Sequence, residues 1–244
     1  MPFGYVSEKI VNPRRLILYS KPKAGKTVLC SRLPNSLLID LEEGSDYVEG
    51  YKVKARSLKE LFEIGQKILE AGKPYQTGII DTATALEDMI LPLALKKYRE
   101  TAMGKTFGLR KDGTYDPNSN VLSLPKGAGY YYLRLAFFQI VDYIDTLFER
   151  TIYLGHLKDA SLDDETNQVI AANIDLTGRL KTLLCSQSDT IGYLYRKGNS
   201  TYISFESSDT IACGSRSPHL RNQNILVAEE IDGEYITYWD KIYK

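Results

Sequence analysis

Between residues 15 and 32 the sequence leaves little choice of local structure. Arg15-Leu16-Ile17-Leu18-Tyr19 is an apolar run of strand length. It is followed at once by Ser20-Lys21-Pro22-Lys23-Ala24-Gly25-Lys26-Thr27. Those eight residues fit G-x-x-x-x-G-K-[ST], with Ser20 in place of the first glycine. Such a strand delivers the chain into a tight loop whose inward-pointing amides cradle phosphate oxygens. Gly25 allows the close backbone approach and opens a helix, expected from about Gly25 to Arg32, whose N-terminal end favours anions. Lys26 then reaches the β- and γ-phosphates, and the Thr27 hydroxyl suits magnesium. The candidate nucleotide-binding segment is therefore Ser20, Lys21, Pro22, Lys23, Ala24, Gly25, Lys26, Thr27 and Val28.

Downstream, short apolar runs alternate with helical patterns. Strands are expected at Ser36 to Asp40, Gly78 to Asp81 and Thr151 to Gly155, with a shorter one at Tyr51 to Lys54. Ser57 and Glu60 form a capping box, and the helix they open places Leu58, Leu61, Phe62, Ile64, Ile68 and Leu69 mainly on one side. Further helices are expected from about Ala85 to Arg99, Tyr131 to Arg150 and Gly178 to Cys185. After Thr190 the pattern becomes strands at Thr190 to Tyr195, Thr201 to Phe205, Asn224 to Ala228 and Tyr235 to Trp239, with hairpin turns at Lys197-Gly198-Asn199 and Asp232-Gly233. The expected architecture is α/β: a mainly parallel central sheet flanked by helices, with antiparallel strands added at the C-terminal end. All 244 residues fit one domain with a core of about 14–196 and a β extension of about 197–244. Two polar stretches break the alternation, Thr101 to Gly129 and His156 to about Asn167. Neither shows a clear period, and long irregular stretches of this kind commonly carry function.

Charge narrows the partners. Lys plus Arg and Asp plus Glu are both 31, giving no net charge. That speaks against a polybasic coat for DNA or membrane and leaves room for a local basic groove. Cys30, Cys185 and Cys213 are far apart and lack metal-ligand spacing, as expected of reduced thiols. The first residues lack the apolar core of a signal peptide. No apolar run approaches the ~20 residues of a membrane span, so a cytoplasmic location without membrane association is expected.

Asp81 ends the strand TGIID, and a carboxylate at that position points into the crevice where open α/β sheets bind ligands. It suits magnesium, together with Thr27. Thr82 follows, so no glutamate stands directly after Asp81. A water-activating carboxylate then has to come from elsewhere, and Glu42 or Glu43, after the strand SLLID, can enter the same crevice. His156, just past TIYLG, is the remaining candidate, a hydrogen-bond donor to a γ-phosphate.

Four segments in order, LILYSKPKAGKT, SLLIDLEEG, TGIIDTATAL and TIYLGHLKD, resemble the RecA-like branch of P-loop ATPases. They are more closely similar to phage-type ATPases of the AAA group associated with single-strand annealing and recombination. The resemblance spans roughly Arg14 to Arg221. It implies ATP and Mg2+ as ligands, Glu42 as catalytic base with Glu43 as runner-up, and His156 in the position of a γ-phosphate sensor that is commonly Gln. It also implies single-stranded DNA as a partner through two loops. The first contains Lys105, Phe107, Arg110, Lys111, Tyr115 and Lys126, a mixture of cations and aromatics suited to single strands. The second, Lys158 to Glu165, is acidic overall. Relatives of this kind form rings or filaments in which a neighbouring subunit supplies a cation, and Arg179, Lys181, Arg216 and Arg221 are the candidates. If the chain is phage-encoded, its location is the host cytoplasm. Two other readings fit the loop: a small-molecule or nucleotide kinase with Thr101 to Gly129 as its lid, and a scaffold that binds nucleotide without turnover.

Overall fold

The computed structural model describes residues 11–158, 173–208 and 211–244. Its elements run in chain order as β1 (Arg15–Ser20), α1 (Lys26–Ser31), β2 (Ser36–Asp40), β3 (Lys52–Lys54), α2 (Leu58–Glu70), β4 (Thr77–Asp81), α3 (Ala83–Arg99), α4 (Ala128–Leu147) and β5 (Arg150–Lys158). They continue as β6 (Asn173–Ile174), α5 (Leu180–Gln187), β7 (Thr190–Lys197), β8 (Ser200–Ser204), β9 (Gly214–Ser215), β10 (Asn224–Ile231) and β11 (Glu234–Thr237).

The main sheet has the order β11-β10-β8-β7-β1-β5-β4-β2-β3. From β7 to β3 every neighbouring pair is parallel. From β7 through β8 and β10 to β11 every pair is antiparallel. This is the expected α/β arrangement of a P-loop NTPase, and the C-terminal strands continue the same sheet.

The parallel strands are continuous apolar runs because both faces are covered. Alternate residues divide between two cores. Ile17, Tyr19, Ile39, Ile80 and Tyr153 face α2 to α5, against Leu61, Leu86, Ile90, Phe137 and Leu184. Leu16, Leu18, Leu38, Ile79 and Ile152 face the other way, against Leu29 and Cys30 of α1 and the C-terminal Trp239 and Ile242. Trp239 donates its indole N–H to the Leu29 carbonyl at 3.0 Å, which fastens the tail under α1. The three cysteines are free thiols.

Several boundaries differ from expectation for physical reasons. The strand expected to stop at Gly155 runs on to Lys158, because β6 supplies a new antiparallel neighbour to Leu157 and Lys158. His156 therefore lies within β5 rather than beyond it. The strand expected to reach Trp239 ends at Thr237, and Trp239–Lys241 turn into a single 3-10 helix. In the capping box, Ser57 accepts from the Glu60 amide, but the Glu60 carboxylate bonds the Arg56 amide instead of that of Ser57.

The largest difference concerns Thr101 to Gly129, which is well organised. Phe107 packs edge-on against Tyr98 at 5.6 Å, and the Arg99 guanidinium stacks 3.9 Å from the centroid of the Tyr115 ring. Val121 and Leu124 are buried in the helical-side core. These apolar residues are spaced without a period, so no pattern marked them. Most of the second polar stretch, residues 159–167, lies outside the described residues.

Candidate nucleotide site

All parallel strands end at one edge of the sheet, and the residues singled out by motif collect there. Ser20 of β1 is in register with His156 of β5, Leu154 of β5 with Asp81 of β4, and Asp81 with Asp40 of β2. One strand, β5, thus separates the loop strand from the strand that ends in Asp81.

Gly25 adopts φ +96°, the left-handed region that glycine enters without steric cost, and caps α1. Ser20 needs no such freedom, since it continues β1. Its buried hydroxyl donates to the Lys21 carbonyl at 2.8 Å and accepts from Lys26 Nζ at 2.9 Å. The replacement for glycine therefore holds the lysine inside the loop. Burial lowers the Lys26 pKa, against the opposing pull of Asp81 and Glu42.

Thr27 Oγ1 donates to Asp81 Oδ2 at 2.7 Å. Burial pushes the Asp81 carboxyl up to about 6; the Glu42 and Asp40 carboxylates add to the rise, while the Thr27 hydrogen bond and Lys26 oppose it. The Asp81–Thr82 peptide is cis. A buried carboxylate bonded to a hydroxyl offers two adjacent oxygen donors, the donor type magnesium takes. Among the described residues no group of three or more His, Cys, Asp or Glu side chains could hold a metal. A cation at Thr27 and Asp81 would thus complete its shell from phosphate and water, as magnesium commonly does.

Glu42 and Glu43 separate cleanly. Asp40 ends β2 and accepts hydrogen bonds from the amides of Glu42, Gly44 and Ser45 and from the Ser45 hydroxyl. Burial alone would raise the Asp40 pKa, but these donors outweigh it and hold the group low. The tightly bonded turn sends Glu42 into the crevice, where it accepts from the Thr82 hydroxyl and meets His156 Nε2 at 3.0 and 3.1 Å. Glu43 takes φ +60° and pairs with the Arg56 guanidinium. Asp40 and Thr82 were not among the site candidates. A buried strand-end Asp before an acidic loop was the available signal for the first of them.

The remaining candidates are dispersed. Helix α3 starts beside Asp81 and spans 17 residues, about 25 Å at the usual rise. Lys105, Phe107, Arg110 and Lys111 follow its end, where Tyr98 lies 5.6 Å from Phe107 and 5.2 Å from Tyr132 near the start of α4, and Arg110 is paired with Asp116 at 2.9 Å. Lys126 immediately precedes α4, whose start lies at the site end. Two hydrogen bonds tie the segment before α5 to the first turns of α3: Thr84 Oγ1 to the Asp175 carbonyl, and the Thr177 amide to Glu87, both 2.9 Å. The ring of Tyr130, in the first turn of α4, lies against Gly178 of that segment. Arg179 is exposed at the start of α5, in the same region, with Lys181 in the first turn of that helix. Arg216 instead follows β9, which pairs the first residues of β7, so it sits at the opposite edge. There it bonds the Ser186 carbonyl and lies 3.6 Å from Asp189. Arg221 is bonded to the Arg216 carbonyl at 3.4 Å.

A family model described as an AAA domain matches residues 12–217. The chain belongs to the AAA domain family. Comparison with curated proteins finds no match. In this AAA domain the family match takes in β1 to β9 and stops short of β10, β11 and the tail. Members of this family are generally nucleotide-binding ATPases. No helix among the described residues is long and apolar enough to cross a membrane.

Proposed function

We propose that this AAA domain hydrolyses ATP with Mg2+ at the ends of β1, β5, β4 and β2, and that it does so on single-stranded DNA during recombination, annealing or replication. One observation carries the ATPase reading: Glu42 is held by Thr82 and His156 in the crevice that also contains the Thr27–Asp81 pair. Lys26 would leave Ser20 to neutralise the β- and γ-phosphates. Thr27 and Asp81 would hold the magnesium ion, which supplies positive charge to the leaving phosphate oxygens. Glu42 would accept a proton from the attacking water. His156 would keep that carboxylate oriented and, from within β5, relate the state of the site to the segment after Lys158.

The DNA reading rests on surface chemistry. Lys126 stands next to α4, where Tyr130 and Tyr131 are 40% and 53% exposed, and Arg179 is nearby. Cations that meet phosphates beside rings that stack on bases suit a single strand. Lys105, Phe107, Arg110 and Lys111, joined to the start of α4 through Tyr98, would extend that contact. A ring or filament of copies would bring a cation to the neighbouring site. Arg179 is the candidate best placed for this, with Lys181 beside it, since Arg216 is already bonded at the opposite edge.

The test is Mg2+-dependent ATP hydrolysis with and without single-stranded DNA, with Lys26→Ala as control. DNA stimulation that vanishes in the variant is the expected result. Hydrolysis indifferent to DNA would remove the DNA part of the proposal. ATP binding without turnover under either condition would leave a nucleotide-binding scaffold.

A further inference from the structure

Beside the phosphate loop, on the side away from Asp81, lies a cleft of ≈ 130 Å3. Gly25 and Val28 form one wall; Arg196, Thr201, Glu230 and Tyr235 form the other. That second wall comes from the ends of β7 and β10 and the starts of β8 and β11. Glu230 and Tyr235 lie beyond the part of the chain that the family model matches.

Three features give the cleft a chemistry. Thr201 is 1% exposed, yet its Oγ1 finds no hydrogen-bond partner of ordinary geometry, although it sits beside the Tyr235 side chain. A buried hydroxyl without a partner is uncommon and costs free energy. Tyr235 is fixed in place: the Arg32 guanidinium lies 5.1 Å from its ring centroid and donates to its backbone carbonyl at 2.6 Å. Val28, on α1 directly after Thr27, is 37% exposed and offers an apolar contact at the mouth. The volume falls below the ~300–1,000 Å3 of pockets that take whole drug-sized ligands, and it suits a single ring system.

Position completes the argument. Thr27, Asp81 and Glu42 converge on the β5–β4–β2 side of the loop. A nucleotide with its terminal phosphate there directs its other end past Val28 toward β7 and β8. We propose that this cleft receives the purine base of the nucleotide, with Tyr235 as its aromatic wall and Thr201 Oγ1 hydrogen-bonded to the ring edge. Glu230 accepts from an exocyclic amino group. The inference rests on the phosphate-site reading given above.

The experiment titrates the full chain, with Mg2+, against ATP, GTP and inorganic triphosphate, in the wild type and in Lys26→Ala, Tyr235→Ala and Thr201→Val. Inorganic triphosphate has the charge without the base. Tyr235→Ala is expected to weaken ATP roughly tenfold, the scale of one lost base-stacking contact, and to leave inorganic triphosphate unchanged. Thr201→Val keeps the buried shape, so its folding is safe. It is expected to weaken ATP several-fold and to change the ATP-to-GTP affinity ratio, again without effect on inorganic triphosphate. If both variants bind ATP as the wild type does, or lose ATP and inorganic triphosphate equally, the base cleft is overturned. Lys26→Ala separates the two readings: it should weaken both ligands, and unchanged affinity for both would overturn the phosphate site itself.

Discussion

In the parallel half of the sheet, from β7 to β3, chemistry is concentrated at one edge. In the antiparallel half, β8, β10 and β11, it reaches that edge only at hairpin turns. The difference is topological. Parallel strands all finish at the same side, so Ser20, His156, Asp81 and Asp40 come together merely by ending their strands. Antiparallel strands alternate, and the β7–β8 and β10–β11 turns are what bring Arg196, Thr201, Glu230 and Tyr235 level with the phosphate loop. The parallel edge holds tightly bonded carboxylates. The antiparallel edge holds an aromatic ring with a buried hydroxyl beside it. On this account the first half handles phosphates and the second the rest of the nucleotide.

The comparison is most exposed to failure at Lys26. Lys26→Ala should lower kcat/KM for ATP by on the order of 10³-fold, comparable with losing a main electrostatic group, while circular dichroism stays native. A retained rate would mean that the parallel edge does not carry the chemistry. His156→Asn should be milder. It keeps a hydrogen-bonding group but alters the hold on Glu42, so kcat should fall about tenfold, as for a misoriented catalytic group, with KM for ATP nearly constant. A rise in KM alone would assign His156 to ground-state binding instead.

Asp81 sharpens the contrast through stability. Its folded pKa of about 6 lies above the unfolded carboxylate value of about 3.9. The associated stability is therefore full below pH ~4 and lost as pH rises through ~6. Asp81→Asn carries no such loss. The ligand-free variant should exceed the wild type by about 1–3 kcal/mol in urea melts at pH 8, with little difference at pH 4, while Mg2+-dependent turnover collapses. A variant less stable than wild type at pH 8 would contradict this picture of a buried, self-repelling carboxylate cluster. The smallest effect belongs to the tail. Trp239→Phe removes the bond to Leu29 and some packing under α1. It should cost about 1–2 kcal/mol in the same melts and leave kcat unchanged.

How far the sequence revealed this arrangement also divides along the two halves. The parallel core was readable because its strands are buried on both faces and so appear as uninterrupted apolar runs, and because Gly25-Lys26-Thr27 follows the first of them. Position left Glu42 and Glu43 both open and the family resemblance favoured Glu42; what distinguishes them physically is the Asp40-anchored turn, which needs coordinates. The extension of β5 past Gly155 depends on a two-residue partner strand too short to leave a pattern. In Thr101 to Gly129 the basic and aromatic residues read as a free loop, yet Phe107, Arg99 and Tyr115 pack on one another and on Tyr98 at the far end of α3. The base cleft left no sequence signal, since its residues come from four strand ends and only the folded turns assemble them.

The account stands or falls most directly on Glu42. ATP binding and multiple-turnover hydrolysis, measured in parallel on Glu42→Gln with Mg2+, separate holding the nucleotide from breaking it. The expected result is wild-type-like ATP affinity with a rate lowered by roughly 10²-fold or more, the scale of a lost general base. Undiminished hydrolysis would contradict the claim that the crevice carboxylate held by Thr82 and His156 activates water.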